Sequence, residues 1–285
     1  METAMKEPDS IERKPNPILI EGDRGNAIRS LKDLVDFRDL ILVLAWRDYK
    51  VRYAQSVLGF FWAILQPLAT LLIFVLVFSR IARVETGEIP YPLFAQAGMI
   101  AWVYFAFLIS QGGESLLGAQ AMIKKIYFPR LVIPLSKAFV GLIDFAVSFM
   151  ILILLSLYYG YVPSTNIIYL PLFIVLIVLG GLGVGIWVAA LTVRFRDVKH
   201  VLPFLVQLGM YISPVAYGAN LVPYKYQIIY SLNPLVGIIN GIRWCLFDTG
   251  VLLSDILTSA LTLVVLFMSS IWFFLRVERQ MADIL

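Results

Sequence analysis

Six stretches of about twenty residues carry almost nothing that water would hold, and they constrain the fold before any motif does. They are Val57–Phe78, Leu93–Gln111, Ala138–Tyr159, Ile167–Val193, Val201–Tyr217 and Ile256–Leu275. As a helix rising 1.5 Å per residue, the first would be about 33 Å long, matching a hydrocarbon core of roughly 30 Å. Fifteen of its residues are Leu, Ile, Val or Phe. At about −0.3 to −0.6 kcal/mol each, they favour insertion by roughly 5 to 9 kcal/mol. Gln66 and Pro67 interrupt this span and are tolerated where neighbouring helices re-satisfy the backbone. Only 15% of the chain is charged, against about a quarter in a soluble domain. Lipid supplies no partner for a bare N–H or C=O, so runs this apolar are read as helices. The expected fold is all-α and integral to the membrane, with six transmembrane helices.

Orientation follows from the cations. With the amino terminus inside, the cytoplasmic segments hold 19 Lys and Arg and the outer ones four (Arg80, Arg83, Lys225 and Arg243). That asymmetry places both termini in the cytoplasm. Upstream of the first span, Leu34, Phe37, Ile41 and Leu44 recur at helical spacing within Leu31–Tyr53. With Trp46, Arg47, Lys50 and Arg52 at its end, that helix is expected to lie in the headgroup plane. The plan is a cytoplasmic tail over residues 1–29, without a cleavable signal, an amphipathic interface helix over 30–55, and a permease domain over 56–285. Between the fifth and sixth spans, Tyr226–Phe247 is punctuated by Asn233, Pro234, Gly237, Asn240 and Gly241. A re-entrant pair of short helices fits that pattern better than one span.

Chemistry is scarce. There is no GxxxxGK[ST], HExxH, GxSxG or CxxC. One cysteine (Cys245) and one histidine (His200) make neither an internal disulfide nor a zinc site. The net charge of +4 sits beside apolar spans, so it points to lipid headgroups rather than nucleic acid. No cofactor is expected in this chain. Gly181 and Gly185 form a GxxxG, read as a close helix contact. Asp144 is the acid deepest in a span and has no obvious companion, which favours a structural role over ion-coupled transport. Aromatics in and beside the spans (Phe60, Phe61, Trp62, Trp102, Tyr104, Phe105, Phe107 and Tyr211) are read as interfacial anchors or as rings on which a glycan could slide.

Two cytoplasmic loops look made for a partner. Within Ser115–Lys137, the large apolar Tyr127 and Phe128 stand among Lys124, Lys125, Pro129 and Arg130, a poor choice for solvation and a good one for docking. The second loop carries Arg194, Arg196 and Asp197, which serve partner contact or merely mark a helix end.

Several of these segments, in this order, resemble ABC-type polysaccharide export permeases, which move O-antigen, capsule or teichoic acid. The first-span stretch Gln55–Leu68 (QSVLGFFWAILQPL) is similar to that family's signature, and Ile123–Pro134 (IKKIYFPRLVIP) to its loop between spans two and three. Arg196-Asp197, Ser213-Pro214-Val215 and Asn233-Pro234-Leu235 follow in the same sequence. The resemblance implies a type II ABC exporter permease in the inner membrane, exporting lipid-linked polysaccharide. It implies a homodimer with two copies of a separate subunit that binds ATP and Mg. Ser115–Arg130 would then be the coupling segment, and Tyr226–Phe247 the outer gate, with Asn233, Pro234, Asn240 and Arg243 as gate residues. Spans one, two and five would line the pore. A permease for a small lipid or drug stays open, as does a membrane-embedded glycan- or lipid-modifying enzyme.

Overall fold

The computed structural model describes residues 34–54, 59–126, 128–250 and 253–284. The predicted tail, residues 30–33 of the interface helix, Gln55–Leu58 and Tyr127 lie outside the described residues. Among those described, all regular structure is helical. Helix α1 spans Arg38–Ala54. Helix α2 (Trp62–Phe74) is entered by a 3-10 turn at Gly59–Phe61 and continued by a π-helix at Val75–Ile81. There follow α3 (Tyr91–Gly118), the single turn α4 (Gln120–Ile123), α5 (Val132–Tyr158) and α6 (Leu170–Arg194). The chain ends with α7 (Val198–Ile212), α8 (Tyr224–Ser231), α9 (Pro234–Phe247) and α10 (Leu253–Ile284).

Among the described residues, five continuous helical stretches are long and apolar enough to cross a membrane: Gly59–Ile81, Tyr91–Gly118, Val132–Tyr158, Thr165–Arg194 and Leu253–Glu278. The predicted fifth span is shorter than expected. Its helix α7 has 15 residues, about 22 Å at 1.5 Å per residue. The cause is Pro214, which disfavours helical geometry at the residue before it. Ser213 accordingly stands extended, at φ −91° and ψ 150°. Two other spans outrun their apolar runs: α3 continues past Gln111 to Gly118, and α5 begins at Val132 rather than Ala138. The predicted loop Ser115–Lys137 therefore contracts, because a helix does not end where its hydrophobicity does. The predicted re-entrant segment is two short helices, α8 and α9.

Helix α3 is the hub, packed on α6, α5, α9 and α7. Its tightest contact is the one the glycines promised. A Cβ on Gly185 would stand 2.7 Å from the Leu108 carbonyl oxygen, and one on Gly112 3.3 Å from the Cα of Gly185. Only bare backbone lets α3 and α6 cross that closely. Helix α10 covers the other side of α6, and α9 is wedged among α3, α6 and α10. Helix α1 lies along α5, and it and the residues just before it turn Leu34, Phe37, Ile41 and Leu44 inward as the spacing predicts. Its outer face still exposes Leu42, Val43, Trp46 and Val51, so its two sides are less cleanly divided than expected.

Candidate functional site

A cavity of about 610 Å³ opens between α2, α3 and α5, with the last turn of α1 beside it. Helix α2 contributes Trp62, Gln66 and Thr70, and α3 contributes Trp102, Tyr104 and Phe107. Four of the eight candidate aromatics therefore line it. Trp102 also bridges to α7, its ring tip 2.7 Å from where a Cβ on Gly209 would sit. The Tyr104 hydroxyl donates to the Ala138 carbonyl at 2.9 Å, leaving its ring as wall. The other four lie elsewhere. Phe60 meets the Tyr53 ring edge-on at 5.9 Å, Phe61 and Tyr211 are exposed, and Phe105 is buried towards Gly180. Gln66 was not singled out as lining. A polar side chain beside a proline in an apolar span was the available signal.

The floor of this cavity corrects the reading of Asp144. Its carboxylate accepts from Arg52 at 2.5 Å and from the Tyr53 hydroxyl at 2.5 Å, both on α1. The companion is 92 residues away in sequence. Burial, reinforced by the facing carboxylate, pushes the Tyr53 phenol up, so the hydroxyl stays a donor. One helical turn nearer the start of α1, Asp48 bonds Lys137 of α5 at 2.5 Å and its neighbour Arg47 at 2.8 Å. Burial alone would raise the Asp48 carboxyl, but these two cations outweigh it and hold it below its ordinary value. Two ion pairs thus fasten α1 to α5.

At the end of the bundle where α3 passes to α5 lie the predicted coupling residues. Lys124 and Lys125 are exposed on the turn after α4. Phe128, read as a docking anchor, is only 6% exposed and packs into the chain's own core. Ser115 is also buried, inside α3, its hydroxyl donating to the Gly112 carbonyl at 2.6 Å. Arg130 donates to the Glu278 carbonyl of α10 at 2.8 Å. Pro129 beside it is half-buried. Among the described residues, the apolar group offered among these cations is Ile126, 62% exposed, which the sequence reading passed over. Across the surface, Arg194, Arg196 and Asp197 are exposed together with Phe195, at 53%.

The opposite end joins the short motifs. Asn233 caps α9, its side-chain oxygen accepting from the Leu235 N–H at 3.1 Å, and Pro234 fills the first turn. The Asn233 amide donates to Ser213 Oγ at 3.0 Å, and Arg243 Nη2 donates to the Val215 carbonyl at 2.9 Å. The Ser213-Pro214-Val215 and Asn233-Pro234-Leu235 segments therefore meet in space. Arg243 and Asn240 line a second cavity of about 390 Å³ here.

Comparison with known proteins matches this arrangement to one family. Residues 39–247 match the model for ABC-2 type transporters. An O-antigen export system permease protein RfbA of Klebsiella pneumoniae is 32% identical over 215 residues, 75% of this chain and 82% of that protein. The protein of the same name from Myxococcus xanthus is 26% identical over 223 residues, covering 78% and 85%. The polysialic acid transport protein KpsM of Escherichia coli is 24% identical over 194 residues, covering 68% and 75%. This chain belongs to the ABC-2 type transporter family.

Proposed function

We propose that the chain is the membrane permease subunit of an ATP-driven exporter of lipid-linked polysaccharide of the O-antigen class. The observation that carries the reading is the Klebsiella relative named for O-antigen export, aligned over 82% of its own length. Two permease copies would enclose the path in the inner membrane, with both termini in the cytoplasm. The cavity floored by Arg52 and Asp144 and walled by Trp62, Trp102 and Tyr104 suits a glycan: rings to stack on, and polar groups to meet hydroxyls. ATP and Mg would be bound by two copies of a separate subunit. That subunit would grip the surface of Lys124, Lys125 and Ile126 and the Arg194–Asp197 turn.

The test has two arms. Deleting the gene should remove polysaccharide from the cell surface, and a plasmid copy should restore it. Replacing Ile126, Lys124 and Lys125 together by Ser should cut co-purification of the ATP-hydrolysing subunit at least tenfold while the permease still inserts. Surface polysaccharide unchanged by the deletion would refute the export reading. Undiminished co-purification would refute the docking surface.

A further inference from the structure

The cavity at the end opposite the coupling loops holds a buried cation that the fold leaves incompletely served. Arg243 is 2% exposed. Its Nε and Nη2 donate to the Phe94 carbonyl, each at 3.3 Å, and Nη2 to the Val215 carbonyl at 2.9 Å. The guanidinium lies 3.4 Å from the centroid of the Phe94 ring. Nη1 is buried with no hydrogen-bond partner among the described residues. A buried donor without an acceptor costs about 1 to 3 kcal/mol, more when it is charged. The surroundings are nevertheless shaped to admit the arginine, since a Cβ on Gly98 would stand 2.8 Å from Nη2. A side chain accommodated that closely and left one donor short is set for something that completes it.

The rest of the wall says what kind of group that is. Gln227, Tyr230, Ser231, Asn240 and Asp255 line the cavity with Arg243. Ser231 Oγ donates to Asp255 Oδ1 at 3.0 Å, orienting the carboxylate at the rim of α10. A phosphate or carboxylate would be repelled by that carboxylate and would want donors alone. A sugar hydroxyl is donor and acceptor at once, so it wants both kinds of partner. Amide, carboxylate and guanidinium groups together supply them. Tyr230 adds a ring face. The volume, about 390 Å³, lies within the range of pockets that hold small ligands.

We propose that this cavity is a saccharide subsite, holding one or two neutral sugar residues of the exported chain at the outer gate. The proposal rests on the export reading and adds to it a place of arrest. A sugar seated on Asn240, Gln227 and Arg243 blocks back-sliding while the ATP-hydrolysing subunits reset.

The test uses the full permease with its ATP-hydrolysing subunit in lipid nanodiscs. Saturation-transfer NMR is recorded with methyl α-D-mannoside, methyl α-L-rhamnoside, methyl β-D-galactoside and, separately, inorganic phosphate. At least one glycoside should bind, and Asn240→Ala and Gln227→Ala should each weaken it at least tenfold. Both substitutions trim half-buried side chains at the cavity wall, so the fold survives them. Four results overturn the subsite: no glycoside binds, binding is unchanged in both variants, phosphate alone binds, or phosphate displaces the glycoside. The deletion experiment keeps the two claims apart. Lost surface polysaccharide with no glycoside binding sinks the subsite and leaves export standing. Variant-sensitive glycoside binding with normal surface polysaccharide sinks export and leaves the subsite.

Discussion

Two regions of the bundle treat an embedded charge in opposite ways. Where α1 packs on α5, Asp144 receives a guanidinium and a phenol from α1, and Asp48 receives Lys137. Where α9 meets the start of α3, Arg243 receives backbone carbonyls and a ring face, with one nitrogen unserved among the described residues. A charge matched by an opposite charge on a neighbouring helix acts as a fastener. A charge held only by dipoles keeps its attraction for something else, and in apolar surroundings that is expensive enough to mark function. The contrast separates a structural seam, which locks α1 to α5, from the cavity proposed above as a binding site.

The sharpest way to break this contrast is Arg243→Met, which keeps bulk and removes the charge. Val215 loses a donor, at about 1 to 3 kcal/mol, while several kcal/mol of cation burial is recovered. The unfolding midpoint in detergent should hold or rise, whereas polysaccharide export should fall at least tenfold. A midpoint lowered by on the order of 10 °C would mean that Arg243 is a fastener after all, and the two regions would be alike. Stability surrendered for function is the pattern expected of a binding residue.

Asp144→Asn should show the opposite sign. The amide keeps a bond to Tyr53 but loses the Arg52 ion pair, and Arg52 is partly solvent-exposed. The loss is about 1 kcal/mol. Amide exchange in α1 should quicken about fivefold, with no change in glycoside binding at the gate. The paired exchange Arg52→Asp with Asp144→Arg should restore slow exchange. Failure of that rescue would show that the pair does not fasten α1.

These partners explain what the sequence could and could not disclose. The spans were legible because twenty apolar residues have only one solvent that suits them, and the short pair α8 and α9 was legible because Asn233 and Pro234 interrupt the run between them. The GxxxG contact was legible because a missing Cβ has one common use in lipid. Asp144 looked solitary because its partner is placed by the docking of α1, and nothing local encodes a contact across 92 residues. Phe128 misled for the same reason. An aromatic among cations is either offered outward or folded under them, and only the packing of α5 and α10 decides. The short α7 was foreseeable: Pro214 was in view, and the apolar run was followed through it to Tyr217.

The smallest effect concerns pH. Asp48 is held below its ordinary value of 3.8 by Lys137 and Arg47, against the upward pull of burial. A carboxyl depressed by folding contributes stability that is full above its unfolded value and vanishes as pH falls through its folded value. The window therefore lies below pH 3.8, and above it the Asp48 contribution should be flat. Lys137→Gln removes the strongest support for the charged form. The variant should lose less α1 docking between pH 4 and pH 2 than the parent, because it has less to lose. Amide exchange in α1, extrapolated across that range, measures this as a difference of under about 1 kcal/mol. Equal acid sensitivity in parent and variant would mean that Asp48 is held by Arg47 alone, one residue away on the same helix. In that case only the Arg52–Asp144 pair would join α1 to α5, and the structural seam would hang on a single ion pair.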